Sequence, residues 1–111
     1  PVTPGHALVI PKAHHSDLFA LPGELGAALL AAQQRVGRAV MRAMGATGLN
    51  VQQNNAKSAG QMVFHAHYHL IPRREGDGLA LWPGTPYPDA AALAAVAEAV
   101  RAALADERPV S

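Results

Sequence analysis

Apolar positions along the chain recur with two periods, which predict three strands and two helices. The β-branched segment His6–Pro11 predicts a first strand, which the proline ends. Leucine, alanine and valine recur at helical spacing from Pro22 to Met44, which predicts one long helix that Gly45 ends. A second helix is predicted over 89–107, opened by Pro88, with a frayed tail after it.

Two further strands are predicted between the helices. They are Leu49–Asn55, with weak alternation, and Gln61–Pro72, a long strand followed by an irregular loop. Alternate residues of the long strand share a face, so His65, His67 and His69 form a row. The other face, predicted to pack under a helix, carries Phe64, Ala66, Tyr68 and Leu70. This element order predicts an α+β fold with an antiparallel sheet, one long helix and a C-terminal helix, in a single domain over 1–111.

Composition and charge exclude several classes of protein. Hydrophobic residues make up 50% of the chain, but many are alanines, so the core is small and an oligomer would help to bury the rest. The net charge of +1 is too low for a generic nucleic-acid or membrane surface. The absence of cysteine excludes disulfides and thiolate metal sites. With neither a membrane-length apolar run nor a signal-like start, we expect a cytoplasmic protein.

The row of three histidines has three interpretations. In the first, the three histidines are structural residues of the core whose ring nitrogens are all hydrogen-bonded. Each buried ring then needs partners for its polar nitrogens. A metal site is the second, with a third ligand from His69, His6 or Glu75, but positions in line on a strand diverge from a single metal. The third is covalent catalysis, in which a neutral imidazole held in one tautomer attacks phosphorus and no cofactor is needed.

Three segments carry a resemblance to a known family. They are P-G-H-A-L-V-I-P-K at 4–12, N-N at 54–55 and A-G-Q-M-V-F-H-A-H-Y-H-L-I-P-R at 59–73. In this order and spacing they resemble the histidine-triad (HIT) family, whose signature is His-φ-His-φ-His-φ-φ with φ apolar. The resemblance implies a HIT-like fold, a homodimer whose sheets join, and transfer of a nucleotidyl group to and from a histidine of the protein. The common bacterial members, of the Hint/Hit-like branch, resemble nucleoside phosphoramidases and dinucleoside polyphosphate hydrolases.

The resemblance also implies catalytic roles for four histidines. His67 matches the nucleophile that becomes nucleotidylated, and His69 matches the histidine that contacts the α-phosphate and the leaving-group side. His65 matches the first triad member, which supports the orientation of the nucleophile. His6 matches a fourth histidine on a neighbouring strand.

Substrate contacts are implied for four further residues. Asn54 matches a side chain that contacts phosphate or ribose oxygens, and Gln61 and Met62 lie where the family uses backbone amides on the phosphate. Met62 departs from the Ser or Thr often found there. Gly60 lies beside these amides, where the lack of a side chain leaves room for phosphate. The family usually has strands before P-G-H that hold the base and ribose, and we expect those to be missing here.

The function expected from this combination is hydrolysis or transfer at the α-phosphate of a nucleoside phosphoramidate or dinucleoside polyphosphate. The substrate is expected to be a small purine nucleotide such as an AMP derivative, and no nucleic-acid or membrane partner is expected. The alternatives are a metal-dependent hydrolase or oxygenase that uses the histidine row, and a nucleotide-binding module without turnover. Trp82 is either an anchor packed on the core or a residue on the leaving-group side, and His14 is expected in a solvated turn.

Overall fold

The structure, a computed structural model, describes residues 1–107 and contains the predicted elements in the predicted order. They are β1 (Ala7–Val9), α1 (Gly26–Met44), β2 (Gly48–Gln52), β3 (Tyr68–Arg73) and α2 (Ala90–Ala105). Single 3₁₀ turns occur at Leu18–Ala20, Gly23–Leu25 and Lys57–Ala59. No helix within 1–107 is long and apolar enough to cross a membrane. The cytoplasmic location and the absence of nucleic-acid and membrane partners stay predictions.

The three strands form one antiparallel sheet in the order β1-β3-β2, which confirms the α+β prediction. Leu8 of β1 and Gln52 of β2 both lie opposite His69 of the central strand. The histidine row therefore meets the sheet at its middle strand through His69, where neighbours on both sides fix the backbone.

The long helix differs from its prediction at one end. Its α-helical part begins at Gly26, because Pro22 has an extended backbone (ψ 139°) and accepts a hydrogen bond from Leu25 that closes a 3₁₀ turn first. It ends as predicted at Gly45, which adopts the left-handed conformation (φ 61°) that glycine tolerates best.

Helix α1 covers one face of the sheet. At its buried Gly37, an added Cβ would lie 2.8 Å from Cδ2 of Leu49 in β2, so only glycine permits this approach without a shift. Leu49 lies opposite Pro72, so Leu70, two residues along β3 from Pro72, faces the same side as Leu49 and is fully buried. His69 is adjacent to Leu70 and therefore points to the face opposite α1.

The long strand predicted from Gln61 is wrong in its first half, because β3 begins only at Tyr68. Before it, the Ala66 N–H donates to the His15 carbonyl (2.6 Å) instead of joining the ladder with β2. His65 and His67 therefore precede the strand. Phe64 does not share the buried face, since its side chain is 56% exposed while Ala66 is fully buried.

The chain divides into two compact units, one of Pro1–Gly78 and one that starts at Leu79. In the second unit the side chain of Asp89 caps α2 by accepting a hydrogen bond from Ala92 N (2.8 Å). Trp82 belongs to this second unit and is 86% exposed, and both roles considered for it stay predictions. The single domain over 1–111 stays a prediction, and the predicted frayed tail lies at 108–111, outside the described residues.

Candidate active site

Three imidazoles form a continuous cluster where β1 and β3 meet. His69 is the second residue of β3 and His6 immediately precedes β1. The ring centroid of His69 lies 4.9 Å from that of His67 and 5.0 Å from that of His6. The structure thus brings together the residues matched to nucleophile, leaving-group contact and fourth histidine.

The hydrogen bond of His67 assigns its tautomer. Its Nδ1 lies 2.7 Å from the carbonyl oxygen of His65. Because a carbonyl can only accept, His67 Nδ1 carries the proton and donates it. In the neutral ring the other nitrogen, Nε2, then has an available lone pair, which is the form that a nucleophilic imidazole requires.

A second chain of hydrogen bonds assigns His6 and His69. The backbone N–H of Val2 donates to Nδ1 of His6 (2.9 Å), so the proton of a neutral His6 ring is on Nε2. That Nε2 donates to Nδ1 of His69 (2.8 Å). The neutral His69 ring therefore carries its own proton on Nε2, where it can donate to a substrate oxygen or nitrogen.

Both rings of this pair favour the neutral state. Burial lowers the pKa of His69, and the neighbouring imidazoles of His67 and His6 lower it further. The pKa of His6 is also lowered, chiefly by burial. At pH 7 the pair is therefore neutral, which agrees with a hydrogen bond that needs one donor and one acceptor.

His65 orients the ring of His67 through its backbone carbonyl. Its ring is turned away, with Nε2 donating to the carbonyl of Pro11 (2.8 Å), and it meets the exposed ring of His14 edge-on at 5.3 Å between centroids. The solvated His14 expected from the sequence is therefore also a neighbour of the triad. The sequence did not reveal that the carbonyls of Pro11 and His15 accept hydrogen bonds from His65 and Ala66. Every residue carries a carbonyl, so no sequence signal marks these two.

Asn54 is tied to the strand that flanks His69. Its Oδ1 accepts a hydrogen bond from Nε2 of Gln52 (3.1 Å), and Gln52 is the residue opposite His69 in the ladder. Gly60 has a left-handed backbone (φ 94°), and an added Cβ would lie 3.5 Å from Nδ2 of Asn54. The side chain of Met62 is 83% exposed.

Gln61 has a different environment from the other three. Its side chain is 2% exposed, and its Nε2 donates to the carbonyls of Ser16 (2.6 Å) and Val63 (3.1 Å). Its Oε1 accepts from the backbone N–H of Ala56 (2.8 Å), and its own N–H donates to the Ala56 carbonyl (3.1 Å). Every polar group of the side chain and the main-chain N–H are thus engaged with the protein backbone.

The metal hypothesis needs three converging ligands. Within residues 1–107, no group of three or more His, Asp or Glu side chains is arranged to hold a metal ion. The histidine cluster instead uses its nitrogens in hydrogen bonds to one another and to backbone groups.

Comparison with known proteins settles the family. The profile of the HIT domain matches residues 1–76, more than half of the chain. The chain belongs to the histidine-triad family. The structure of SMU.412c from Streptococcus mutans superposes on this histidine-triad chain with a TM-score of 0.82 at 38% identity, covering 93% of this chain and 66% of that one.

Two curated relatives have named activities. Adenosine 5'-monophosphoramidase HNT1 of Saccharomyces cerevisiae is 42% identical over 85 residues, which are 75% of this chain and 51% of the yeast protein. Adenylylsulfatase HINT3 of Arabidopsis thaliana is 39% identical over 82 residues, which are 74% of this chain and 41% of the plant protein. This chain thus spans about half the length of the curated relatives that it matches.

Proposed function

We propose that the protein is a nucleotidyl hydrolase or transferase that acts at the α-phosphate of a nucleoside phosphoramidate or dinucleoside polyphosphate. The observation that carries this proposal is the pairing of two tautomers, a free lone pair on Nε2 of His67 beside a proton on Nε2 of His69. Displacement at phosphorus uses a nucleophile together with a hydrogen-bond donor that stabilises the charge developing on the phosphoryl oxygens or the leaving atom.

In the first step, Nε2 of His67 uses its lone pair to form a bond to phosphorus. The bond from phosphorus to the leaving nitrogen or oxygen breaks, and its electron pair goes to the leaving group. The leaving group accepts a hydrogen bond from Nε2 of His69 and takes its proton from a solvent water. The nucleotidylated imidazole of His67 is then positively charged. The carbonyl of His65 stabilises that charge through the proton that remains on Nδ1.

In the second step, water attacks the phosphorus of the nucleotidyl-histidine. The nitrogen–phosphorus bond breaks, its electron pair returns to Nε2 of His67, and the water loses a proton as the nucleoside monophosphate forms. A second nucleophile in place of water would give transfer instead of hydrolysis. Asn54 and the backbone beside Gly60 are proposed to contact the phosphate or ribose oxygens during both steps, and Met62 to contribute only its backbone amide.

The two named relatives support an adenosine nucleotide as the substrate. The name of the yeast protein denotes cleavage of adenosine 5'-monophosphoramidate, and that of the plant protein denotes cleavage of adenylyl sulfate. These names share the adenylyl group and differ in the leaving group. We therefore propose that the adenylyl group is transferred to His67 and that the identity of the leaving group is the quantity to be determined by experiment.

The test is turnover by the protein itself, measured on adenosine 5'-monophosphoramidate and on a diadenosine polyphosphate by chromatography of the AMP released. We expect turnover of at least one substrate, an adenylylated protein in acid-quenched samples, and the adduct mapped to His67 by mass spectrometry. The rate should be unchanged after treatment with a chelator, because no step uses a metal. Nucleotide binding without turnover, or turnover that chelation abolishes and zinc or iron restores, would contradict the proposal.

We also propose that the protein is a homodimer whose sheets join. Within the described residues β1 and β2 are the edges of the sheet, and an edge strand can pair its outward backbone groups with a strand of another chain. Sedimentation equilibrium should give twice the chain mass of 11.5 kDa at micromolar concentration. A single-chain mass throughout the concentration range would contradict a dimer.

A further inference from the structure

We propose that Gln61 is a positioning residue for the nucleophile, acting through a backbone lock that joins three segments of the chain. The first segment is the turn at Ala56, the second is the stretch 11–16 after β1, and the third is the stretch 63–67 that ends at His67. This inference rests on the proposed function only for its kinetic consequences. The lock itself is a property of the folded chain.

The lock is made by one side-chain amide with three partners. Nε2 of Gln61 donates to the carbonyls of Ser16 and Val63, and Oε1 accepts from the N–H of Ala56. The amide is almost completely buried, so water cannot substitute for a lost partner without opening space around it. Glutamine is the residue that suits this position, because it supplies two donors and an acceptor at the end of an uncharged side chain.

The Ala56 end of the lock holds a backbone that would otherwise relax. Ala56 has φ 72° and ψ 161°, a region of backbone conformation that is almost exclusive to glycine, and it is the only non-glycine residue with positive φ within the described chain. Both polar backbone groups of Ala56 bond to Gln61, its N–H to Oε1 and its carbonyl to the Gln61 N–H. Gln61 thus holds the strained conformation from both sides.

The other end of the lock reaches the catalytic histidines in short steps. The stretch 11–16, which Gln61 holds at Ser16, provides the carbonyl of Pro11 for the ring of His65 and the carbonyl of His15 for the N–H of Ala66. Those two contacts fix the backbone of His65, whose carbonyl orients His67. Displacement of a reacting group by about 1 Å can cost on the order of 100-fold in rate, so a loosened lock is expected to lower kcat.

The first experiment replaces Gln61 by glutamate, which keeps the shape of the side chain and removes the donors. An ionised carboxylate would face the carbonyls of Ser16 and Val63, whereas a protonated one can donate to one of them and still accept from Ala56. We expect Gln61→Glu to lower kcat by about 10-fold to 100-fold near pH 8 with little change in KM. The ratio of its kcat to that of the wild type should then rise as the pH falls to about 5.5, because burial raises the pKa of the new carboxyl.

Taking the ratio at each pH removes every pH dependence that the variant and the wild type share. Gln34→Glu, an exposed glutamine on α1, is the matched control and should give a ratio near one throughout. A Gln61→Glu variant with unchanged kcat, or with a higher KM and a ratio that does not depend on pH, would overturn the proposal. A wild-type protein that turns over neither substrate would contradict the proposed function instead.

The second experiment tests the lock without substrate and covers the case in which Gln61→Glu does not fold. Glycine adopts the Ala56 conformation without strain, so in an Ala56→Gly background the loop needs less help from Gln61. A double-mutant cycle of Ala56→Gly and Gln61→Met, followed by thermal and denaturant unfolding, should show a smaller loss of stability from Gln61→Met in the glycine background. Additive effects of the two substitutions would overturn the proposal.

Discussion

Replacement of His67 by alanine is expected to lower kcat by at least about 1,000-fold, the scale on which loss of a nucleophile acts. Nε2 of His67 is the atom with an available lone pair, and no water or other side chain reproduces a covalent nucleotidyl intermediate. Affinity for AMP should change little, because the phosphate contacts proposed at Asn54 and Gly60 remain. Kinetics by AMP release and affinity by isothermal titration calorimetry would measure the two effects separately.

His15→Ala is the matched control, since that ring lies outside the cluster of His6, His67 and His69 and only its backbone carbonyl is used. It should keep a rate close to that of the wild type. His67→Gly leaves a larger cavity than His67→Ala, so this variant should regain part of its activity when imidazole is added to the solution. If His67→Ala kept a near-normal rate and formed the adduct while His69→Ala did not, the assignment of the nucleophile would be wrong.

Replacement of His69 by alanine is expected to lower kcat/KM by about 100-fold or more for a phosphoramidate, the usual range for loss of a positioned acid–base or donor group. The ring donates a hydrogen bond from Nε2 to the departing atom and holds that tautomer because His6 donates to Nδ1. The effect should depend on the leaving group, because a weakly basic leaving group needs less help. Two aryl esters of AMP with leaving phenols of different acidity would measure that dependence.

His69→Gln provides the matched variant, since its side-chain amide can place a donor close to the position of Nε2. It should retain more activity than His69→Ala, most clearly with the more basic leaving group. Equal losses for both aryl esters would show that His69 acts on the phosphate or on folding and not on the leaving group. Melting temperatures of both variants would separate a loss of stability from a loss of catalysis.

The parts of the fold that the sequence predicts well are those with a local cause. Helix α1 repeats its apolar period over 19 residues, and Gly45 ends it with a conformation that other residues adopt less readily. The start of that helix was harder to predict from the sequence, because a first turn of 3₁₀ type and a first turn of α type have the same apolar pattern. Gly37 was also missed as a packing position, since only the approach of Leu49 shows why a glycine is there.

In the candidate site, the spacing of the histidines and the family resemblance predict that the histidines lie close together. They do not predict which histidines belong to the strand or which hydrogen bonds each ring makes. Alternation continues through His65 and His67 although the ladder begins only at Tyr68, so the period alone cannot locate the start of the strand. The bonds that set this boundary go to backbone carbonyls at Pro11 and His15. The buried amide of Gln61 likewise depends on where distant segments meet, which one sequence cannot specify.

His67 lies just outside the ladder, and this position lets the nucleophilicity of its imidazole and the direction in which Nε2 points vary independently. The carbonyl that sets its tautomer belongs to His65, two residues earlier in the same irregular segment, whereas its neighbour His69 is held inside the sheet. A shift of the segment carries His67, the proposed nucleophile, together with its orienting carbonyl. The lone pair on Nε2 survives such a shift, while the angle of the proposed attack on phosphorus changes. Substitutions in the segment can therefore tune how well the attack is aligned, or which leaving groups it tolerates, without altering how nucleophilic the imidazole is.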